Sequence, residues 1–132
     1  MNTRENLIKR NALRMDPRVK RAIQMMWDMF PKTLDMHIEK KEYVGILVRI
    51  CKLVIPEFEL EQARETAEGD WERDAKGNDT MSFKQFFNAF FELADIWCPD
   101  IDGAQYARFL DTLRTRLTVM KIHKRNGTVM RR

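Results

Sequence analysis

The chain has 132 residues, of which 44% are hydrophobic, 10% aromatic and 33% charged. This length suits one domain with its own core, and the apolar content excludes a disordered chain. Five glycines and four prolines are too few for an all-β fold with many tight turns. Short apolar runs predict no membrane span, and the charged N-terminal stretch predicts no secretory leader. Two cysteines, Cys51 and Cys98, are too few for a disulfide scaffold, which favours a reducing compartment.

Positive charge is concentrated at the two ends of the chain. Residues 1–21 contain seven basic and two acidic residues, and residues 119–132 contain five basic residues and no acidic one. Each end therefore carries +5, and because the whole chain carries +4, residues 22–118 carry −6. Basic segments of this kind bind polyanions or acidic protein surfaces, although they can also serve only to keep a protein soluble. We divide the chain into a basic N-terminal arm at 1–16, a body at 17–118 and a basic C-terminal tail at 119–132.

Apolar residues recur every three to four positions through the body, which predicts five helices and an all-α fold. The predicted helices cover 17–30, 40–54, about 58–72, about 83–97, and a fifth segment that begins after a cap at Asp100 or Asp102. Pro17 is typical of a first helical turn, and Pro56 and Pro99 end the second and fourth helices. No stretch predicts a strand longer than a few residues.

Two short segments, 31–42 and 74–85, connect these helices in pairs. Each has an apolar residue at its eighth position, which is Ile38 in the first and Met81 in the second. Apolar residues frame both segments: Ile23, Met26, Trp27 and Phe30 before the first, Tyr43, Ile46, Leu47 and Ile50 after it, and Phe86, Ala89, Phe90 and Leu93 after the second. The second segment also contains the string DAKGNDTMS, which resembles an altered calcium-binding loop.

With these features, residues 17–98 resemble the EF-hand superfamily. In that family a 12-residue loop joins two helices, and the eighth residues of two loops pair in a short β-bridge. The resemblance implies a calmodulin-like lobe of paired EF-hand-like helix–loop–helix units, followed by a fifth C-terminal helix. The apolar frame before the second loop ends at Trp71, two positions too early, so we expect this loop to be longer by two residues.

The residues at the ligand positions of both loops argue against calcium. The ion takes six to eight oxygen ligands, and its loop needs a glycine at position six and a glutamate at position twelve. The first loop has Pro31 at position one and Met36 at position six, so we expect the glycine turn to be lost. The second loop has Lys76 at a ligand position and Gln85 at position twelve. We expect no metal and no cofactor at its remaining calcium candidates, which are Asp74, Asn78, Asp79 and Ser82.

The sequence offers no constellation of residues for catalysis. His37 and His123 are far apart and have no partner at the spacing of a metal site or a nucleophile pair. The five glycines are isolated rather than grouped in a phosphate-binding loop. We therefore expect that this protein is not an enzyme.

The EF-hand resemblance also implies an apolar cleft, because such lobes commonly bury a helix among methionine and aromatic side chains. The sequence leaves two occupants open, since either the fifth helix of the same chain or a helix of a partner could fill this cleft. Trp97 lies at the end of the fourth predicted helix, where we expect it to be an exposed anchor for a partner.

Residues 86–118 resemble calcium-dead EF-hand proteins of ciliary and flagellar axonemes, through their aromatic pattern, the string LADIW and the terminal RLT. This resemblance implies a structural subunit of a microtubule-based assembly, located in the cytoplasm at the cytoskeleton of a cilium or flagellum. Its expected partners are tubulin or axonemal proteins with acidic surfaces, and not a membrane. The expected partner-binding residues are Arg4, Lys9, Arg10, Arg14, Arg18, Lys20, Arg21, Trp97, Lys121, Lys124, Arg125, Arg131 and Arg132.

Two other functions remain open from the sequence. The chain could be a calcium sensor with an atypical second loop, although Lys76 and Gln85 argue against this function. It could also be a small nucleic-acid-binding protein that uses its basic tails. The acidic body, the lack of a recognition-helix pattern and the lack of aromatic residues interleaved for base stacking argue against nucleic acid.

Overall fold

The computed structural model describes the backbone of residues 3–130 and the side chains of residues 3–118. This part of the chain is mostly helical, which confirms the predicted all-α class. Its helices are α1 (Arg4–Leu13), α2 (Pro17–Asp28), α3 (Lys40–Val54), α4 (Leu60–Ala75), α5 (Phe83–Trp97) and α6 (Gly103–Met130). Two very short strands, β1 (Ile38–Glu39) and β2 (Thr80–Met81), lie in the connections before α3 and α5.

The helices of the body follow the apolar periodicity of the sequence. Helices α3 and α5 have the predicted bounds, and α2 begins at the predicted Pro17 behind the cap Asp16. Helix α4 differs, because it continues past the predicted end at 72 to Ala75. The reason is a stripe of buried residues, since Ala63, Ala67, Trp71 and Ala75 follow one another at four-residue spacing on its inner side.

Both basic ends contain helix that the apolar pattern does not predict. In the N-terminal arm, the Thr3 hydroxyl caps α1 by accepting a hydrogen bond of 3.1 Å from the backbone N–H of Asn6. No residue of α1 is buried, so this helix lies on the surface of the body. At the other end, α6 continues to Met130, so the predicted boundary between body and tail at residue 119 falls inside a helix.

The two short strands join two helix–loop–helix units. Ile38 pairs with Met81 and Glu39 with Thr80 in an antiparallel bridge, so the expected pairing of Ile38 with Met81 is present. Both paired apolar side chains are fully buried. Helix α3 packs along α4, and α2 packs against α5.

Helix α6 packs chiefly along α2, with smaller contacts to α3 and α5. Both helices begin at the same end of the molecule, because a Cβ atom on Gly103 would lie 2.2 Å from Oδ2 of Asp16, the cap of α2. Near the other end of α2, Leu117 and Phe30 line one shared pocket. The two helices are therefore parallel, and a side chain at position 103 would displace the side chains of Asp16 and Arg18.

Aromatic side chains occupy the middle of the core. Phe86 and Phe90 stack with their ring centroids 4.3 Å apart, and Phe30 packs edge-on against Phe86 at 5.3 Å. Tyr43 on α3 packs against Trp71 on α4 at 5.5 Å. These contacts tie the two helix–loop–helix units into one apolar cluster, which α6 extends with the buried side chains Tyr106, Leu110, Leu113 and Leu117.

Candidate interaction surfaces

The connection between α4 and α5 is a compact turn. Lys76 and Gly77 both have positive φ angles, 54° and 81°, and the backbone N–H of Asn78 donates to the carbonyl of Ala75 at 3.1 Å. The connection covers residues 76–82, whereas residues 29–39 join α2 to α3. The expectation that the second loop is longer by two residues is therefore wrong. Its physical reason is that α4 continues to Ala75 and the chain then reverses within two residues.

Side-chain hydrogen bonds from Gln85 close this turn. Its Oε1 accepts from the backbone N–H of Ser82 at 3.0 Å, and its Nε2 donates to the carbonyl of Ala75 at 3.3 Å. The hydroxyl of Ser82 in turn accepts from the backbone N–H of Gln85 at 3.3 Å, which completes a capping box at the start of α5. One neutral amide therefore joins the end of α4 to the beginning of α5 at the position where the sequence pattern places a calcium ligand.

The four calcium candidates do not converge on one point. The carboxylate of Asp74 accepts hydrogen bonds from the hydroxyl of Tyr43 at 3.0 Å and from Nε of Arg73 at 3.1 Å. A surface pocket of about 580 Å³ is lined by Asn78, Asp79 and Ser82, but Asp74 is not among the residues that line it, and lysines are. Among the described residues, no group of three or more His, Cys, Asp or Glu side chains is suited to hold a metal ion.

The first loop keeps a left-handed turn without glycine. Met36 has a φ of 62°, so the expectation that methionine at this position loses the turn is wrong. The turn is held by two backbone hydrogen bonds, from Met36 to the carbonyl of Thr33 at 2.9 Å and from Thr33 to the carbonyl of His37 at 2.8 Å. The ring Nδ1 of His37 also lies 2.9 Å from the hydroxyl of Thr80, which links the first loop to the second.

An apolar groove of about 360 Å³ lies between α3, α4 and α5. Its apolar lining comprises Leu47, Ile50, Val54, Ile55, Ala89, Phe90, Leu93, Ile96 and Trp97. The side chains of Ile96 and Trp97 are 77% and 44% exposed, so the groove has apolar residues open to solvent. None of the described residues of α6 lines this groove, so the described part of the fifth predicted helix does not fill it.

The wall of this apolar groove is acidic. Asp70, Asp74 and Glu92 line it together with Arg73, which forms ion pairs of 3.1 Å with both aspartates. Burial raises the pKa of Asp70, and the neighbouring Arg73 opposes that shift. The groove therefore combines an apolar floor with an excess of negative charge.

Three of the predicted partner-binding arginines contact this chain itself. Arg10 forms an ion pair of 3.3 Å with Asp95 on α5. Arg14 donates to Oδ1 of Asn88 at 2.7 Å, and its guanidinium lies 4.5 Å from the ring centre of Phe91. Arg18 pairs with its own helix cap, Asp16, at 2.9 Å. The first two contacts fasten α1 to α5, which explains why the arm packs on the body although none of its residues is buried.

The other predicted basic residues lie on the surface or outside the described side chains. Lys9 forms an exposed pair with Glu5 at 3.7 Å, while Arg4, Lys20 and Arg21 are exposed and make no ion pair within the described part of the chain. Lys121, Lys124 and Arg125 lie on α6 beyond the last described side chain, and Arg131 and Arg132 lie outside the described residues altogether.

A second groove, of about 760 Å³, lies between α2 and α6. Its basic lining comprises Arg18, Arg21, Arg108, Arg114 and Arg116. Arg108, Arg114 and Arg116 are not among the predicted partner-binding residues, because the sequence pattern shows only the net negative charge of the body. The four-residue spacing of Arg108, Thr112 and Arg116 along one helical face is the signal that points to Arg108 and Arg116.

Comparison with known protein families, with curated proteins and with solved structures finds no match for this chain. Within the described residues, no helix combines the length and the apolar character needed to cross a bilayer. A function for this chain therefore has to follow from its own geometry, packing and charge.

Proposed function

We propose that this chain is a non-catalytic interaction subunit with an EF-hand-like lobe that works independently of calcium. The observation that carries the proposal is the closure of the α4–α5 turn by Gln85, Ser82 and the carbonyl of Ala75. In a calcium-binding loop the ion performs this closure through oxygen ligands. Here protein hydrogen bonds already hold the turn, so the lobe needs no ion to reach its packed state.

The bridge between the two loops supports the EF-hand-like part of the proposal. Ile38 and Met81 occupy the eighth positions of their segments and pair with each other. The side chains of both are fully buried, so the two helix–loop–helix units share one core. This is the arrangement that the EF-hand resemblance implies for a pair of units without metal.

The apolar groove between α3, α4 and α5 supports a docking role. Its exposed residues Ile96 and Trp97 offer apolar area to a partner, and its acidic wall favours basic side chains on that partner. An amphipathic helix with basic residues along one edge combines both properties. We propose such a helix as the occupant of this groove.

We further propose that the assembly is microtubule-based, as in the axoneme of a cilium or flagellum. This part of the proposal rests on the resemblance of residues 86–118 to calcium-dead axonemal EF-hand proteins. The exposed Arg4, Lys20 and Arg21 and the five basic residues of 119–132 are suited to acidic surfaces such as those of tubulin.

Fractionation of source cells tests this function. Cells are extracted with detergent and then with steps of rising salt, in buffers that contain either calcium or a chelator, and the chain is followed by antibody. We expect it to stay with the microtubule cytoskeleton after detergent, to be released as salt screens its charges, and to behave identically in both buffers. Release by detergent alone would contradict the assembly, and a calcium-dependent difference would contradict calcium independence.

A charge variant of the tail sharpens this test. Replacing Lys121, Lys124 and Arg125 by serine should lower the salt concentration at which the chain is released, because it removes three positive charges. The matched control replaces the exposed body residues Lys41, Lys52 and Arg64 by serine and removes the same charge elsewhere. Release of both variants at the wild-type salt concentration would show that the tail takes no part in docking.

A further inference from the structure

The groove between α2 and α6 presents three guanidinium groups that form no ion pair with the described residues. Arg21, Arg108 and Arg116 are exposed and make no ion pair within the described part of the chain. Arg18 pairs with Asp16 at 2.9 Å, and Arg114 lies 3.6 Å from Asp111, the acidic residue among the described lining. Of the five arginines that line the groove, Arg18 and Arg114 therefore have an aspartate partner, and Arg21, Arg108 and Arg116 carry the positive charge that the described residues leave unpaired.

The two helices place these arginines along parallel walls. Arg18, Arg21 and Met25 follow one face of α2, and Arg108, Thr112 and Arg116 follow one face of α6. The lining also includes the small or apolar residues Ala22, Met25, Ala104 and Ala107. The groove thus combines positive charge with apolar lining.

The dimensions and chemistry of this groove fit a short peptide. The lining residues of α6 run from Ala104 to Arg116, which spans about 18 Å at 1.5 Å per residue. An extended chain rises about 3.3 Å per residue, so about five or six residues fill this length. The planar guanidinium group binds a carboxylate through two parallel hydrogen bonds, and the lining contains five arginines and no lysine among the described residues.

We propose that the α2–α6 groove binds an acidic peptide segment of a partner protein in extended form. Carboxylates of the peptide pair with Arg21, Arg108 and Arg116, and small side chains between them lie on the alanines of the groove. Nucleic acid fits less well, because no aromatic residue among the described lining can stack on a base. This inference rests on the proposed function as an interaction subunit. It adds that one binding partner carries an acidic peptide segment.

Fluorescence anisotropy with the full-length chain tests the inference. The probe is a labelled peptide of six glutamates flanked by glycines, compared with a labelled thymidine oligonucleotide of equal charge. We expect the variant Arg108→Ser with Arg116→Ser to bind the peptide at least about tenfold more weakly than the wild type at low salt. The control variant Lys52→Ser with Arg64→Ser removes the same charge from exposed sites outside the groove and should bind within about twofold of the wild type.

Each outcome of this experiment supports or contradicts the binding of an acidic peptide in the groove. Because all four substituted side chains are exposed, circular dichroism of both variants should match that of the wild type. Equal losses in the two variants would overturn the proposal, as would tighter binding of the oligonucleotide than of the peptide. Wild-type chain that stays with the microtubule cytoskeleton but does not bind the peptide would refute the groove inference and leave the proposed function intact.

Discussion

At the scale of single residues, Gln85 shows why an amide differs from the carboxylate that a calcium loop needs. An amide group has both a donor and an acceptor, so it can bond the N–H of Ser82 and the carbonyl of Ala75 at once. An ionised glutamate at this position could only accept hydrogen bonds. It would leave the carbonyl of Ala75 without this partner, so the turn favours glutamine in the absence of an ion.

Replacing Gln85 by alanine should therefore destabilise the fold. We expect Gln85→Ala to lower the free energy of unfolding by about 1–2 kcal/mol, because it removes a capping interaction and the bond to Ala75. Urea denaturation measures the change, with Gln62→Ala at an exposed site of α4 as the control. Equal stability of the two variants would show that Gln85 does not hold the turn.

The two tyrosines of the chain are buried donors to carboxylates. The hydroxyl of Tyr43 donates to Asp74, and the hydroxyl of Tyr106 donates to Asp95. Burial and then the neighbouring carboxylate charge and hydrogen bond raise the pKa of both hydroxyls above the ordinary value of 10.0. Neither tyrosine ionises readily in the folded state, whereas both do so in the unfolded chain.

Stability should consequently fall at high pH. The contribution of each tyrosine to the free energy of unfolding is fully present below pH 10. Above that pH it declines by up to about 1.4 kcal/mol per pH unit, because ionisation of the hydroxyl stabilises only the unfolded state. Urea denaturation between about pH 8 and pH 11 measures this slope, and tyrosinate absorbance follows the ionisation itself. The double variant Tyr43→Phe with Tyr106→Phe should have a smaller slope, and an unchanged slope would contradict this account.

At the scale of elements, the sequence predicts best those helices whose ends carry strong local signals. Asp16 with Pro17 begins α2, Pro56 follows the end of α3, and Pro99 follows the end of α5. The extension of α4 to Ala75 was not predicted, because alanine adds little to an apolar pattern even where it is buried. Helix α1 has no buried stripe at all, and its contacts with α5 are long-range in sequence.

The difference between local sequence signals and contacts distant in sequence also explains which parts of the candidate surfaces could be predicted. Trp97 was expected as an exposed anchor because it ends an apolar helix, and it does line the apolar groove. The arginine groove depends on the packing of α6 beside α2, which lie far apart in the chain. No local pattern specifies that pairing, so Arg108, Arg114 and Arg116 could not be combined with Arg18 and Arg21 from sequence alone.

Helix α5 should be the most sensitive place for a core substitution. Phe90 is 1% exposed and packs against Phe86, Tyr43 and Phe30, which lie on three different helices or their ends. We expect Phe90→Ala to cost about 3–5 kcal/mol of unfolding free energy. Phe83→Ala on the same helix is the comparison, since Phe83 is 37% exposed and should cost less. Similar losses measured by chemical denaturation would show that Phe90 is not central.

At the scale of the whole molecule, the two grooves carry opposite charge on different sets of helices. The apolar groove on α3, α4 and α5 has an acidic wall, and the groove on α2 and α6 has basic walls. The division of charge into basic ends and an acidic body is therefore incomplete. Arg10 and Arg14 contact α5, and Arg108, Arg114 and Arg116 of α6 line the basic groove. The partners that we propose for the two grooves accordingly carry opposite charge, basic for the apolar groove and acidic for the α2–α6 groove.

The packing of α6 on α2 predicts how truncated chains behave. A chain that ends at Thr118 keeps every described buried residue of α6, so we expect cooperative thermal unfolding close to that of the full chain. A chain that ends at Asp102 lacks Tyr106, Leu110, Leu113 and Leu117 and leaves the inner face of α2 without its main neighbour. Circular dichroism should then show a non-cooperative transition. Cooperative unfolding of the shorter chain at the same temperature would contradict the role given to α6.

The parallel pairing of α2 with α6 also has a consequence for synthesis on the ribosome. Residues 29–102 separate the end of α2 from the start of α6, and translation adds about 5–20 residues per second. Roughly four to fifteen seconds therefore pass between the synthesis of α2, whose buried residues include Val19 and Ile23, and the start of synthesis of α6. During this interval the nascent chain exposes apolar side chains to chaperones and to other polypeptides. This face can complete its packing only after Gly103 and the residues that follow it have been made.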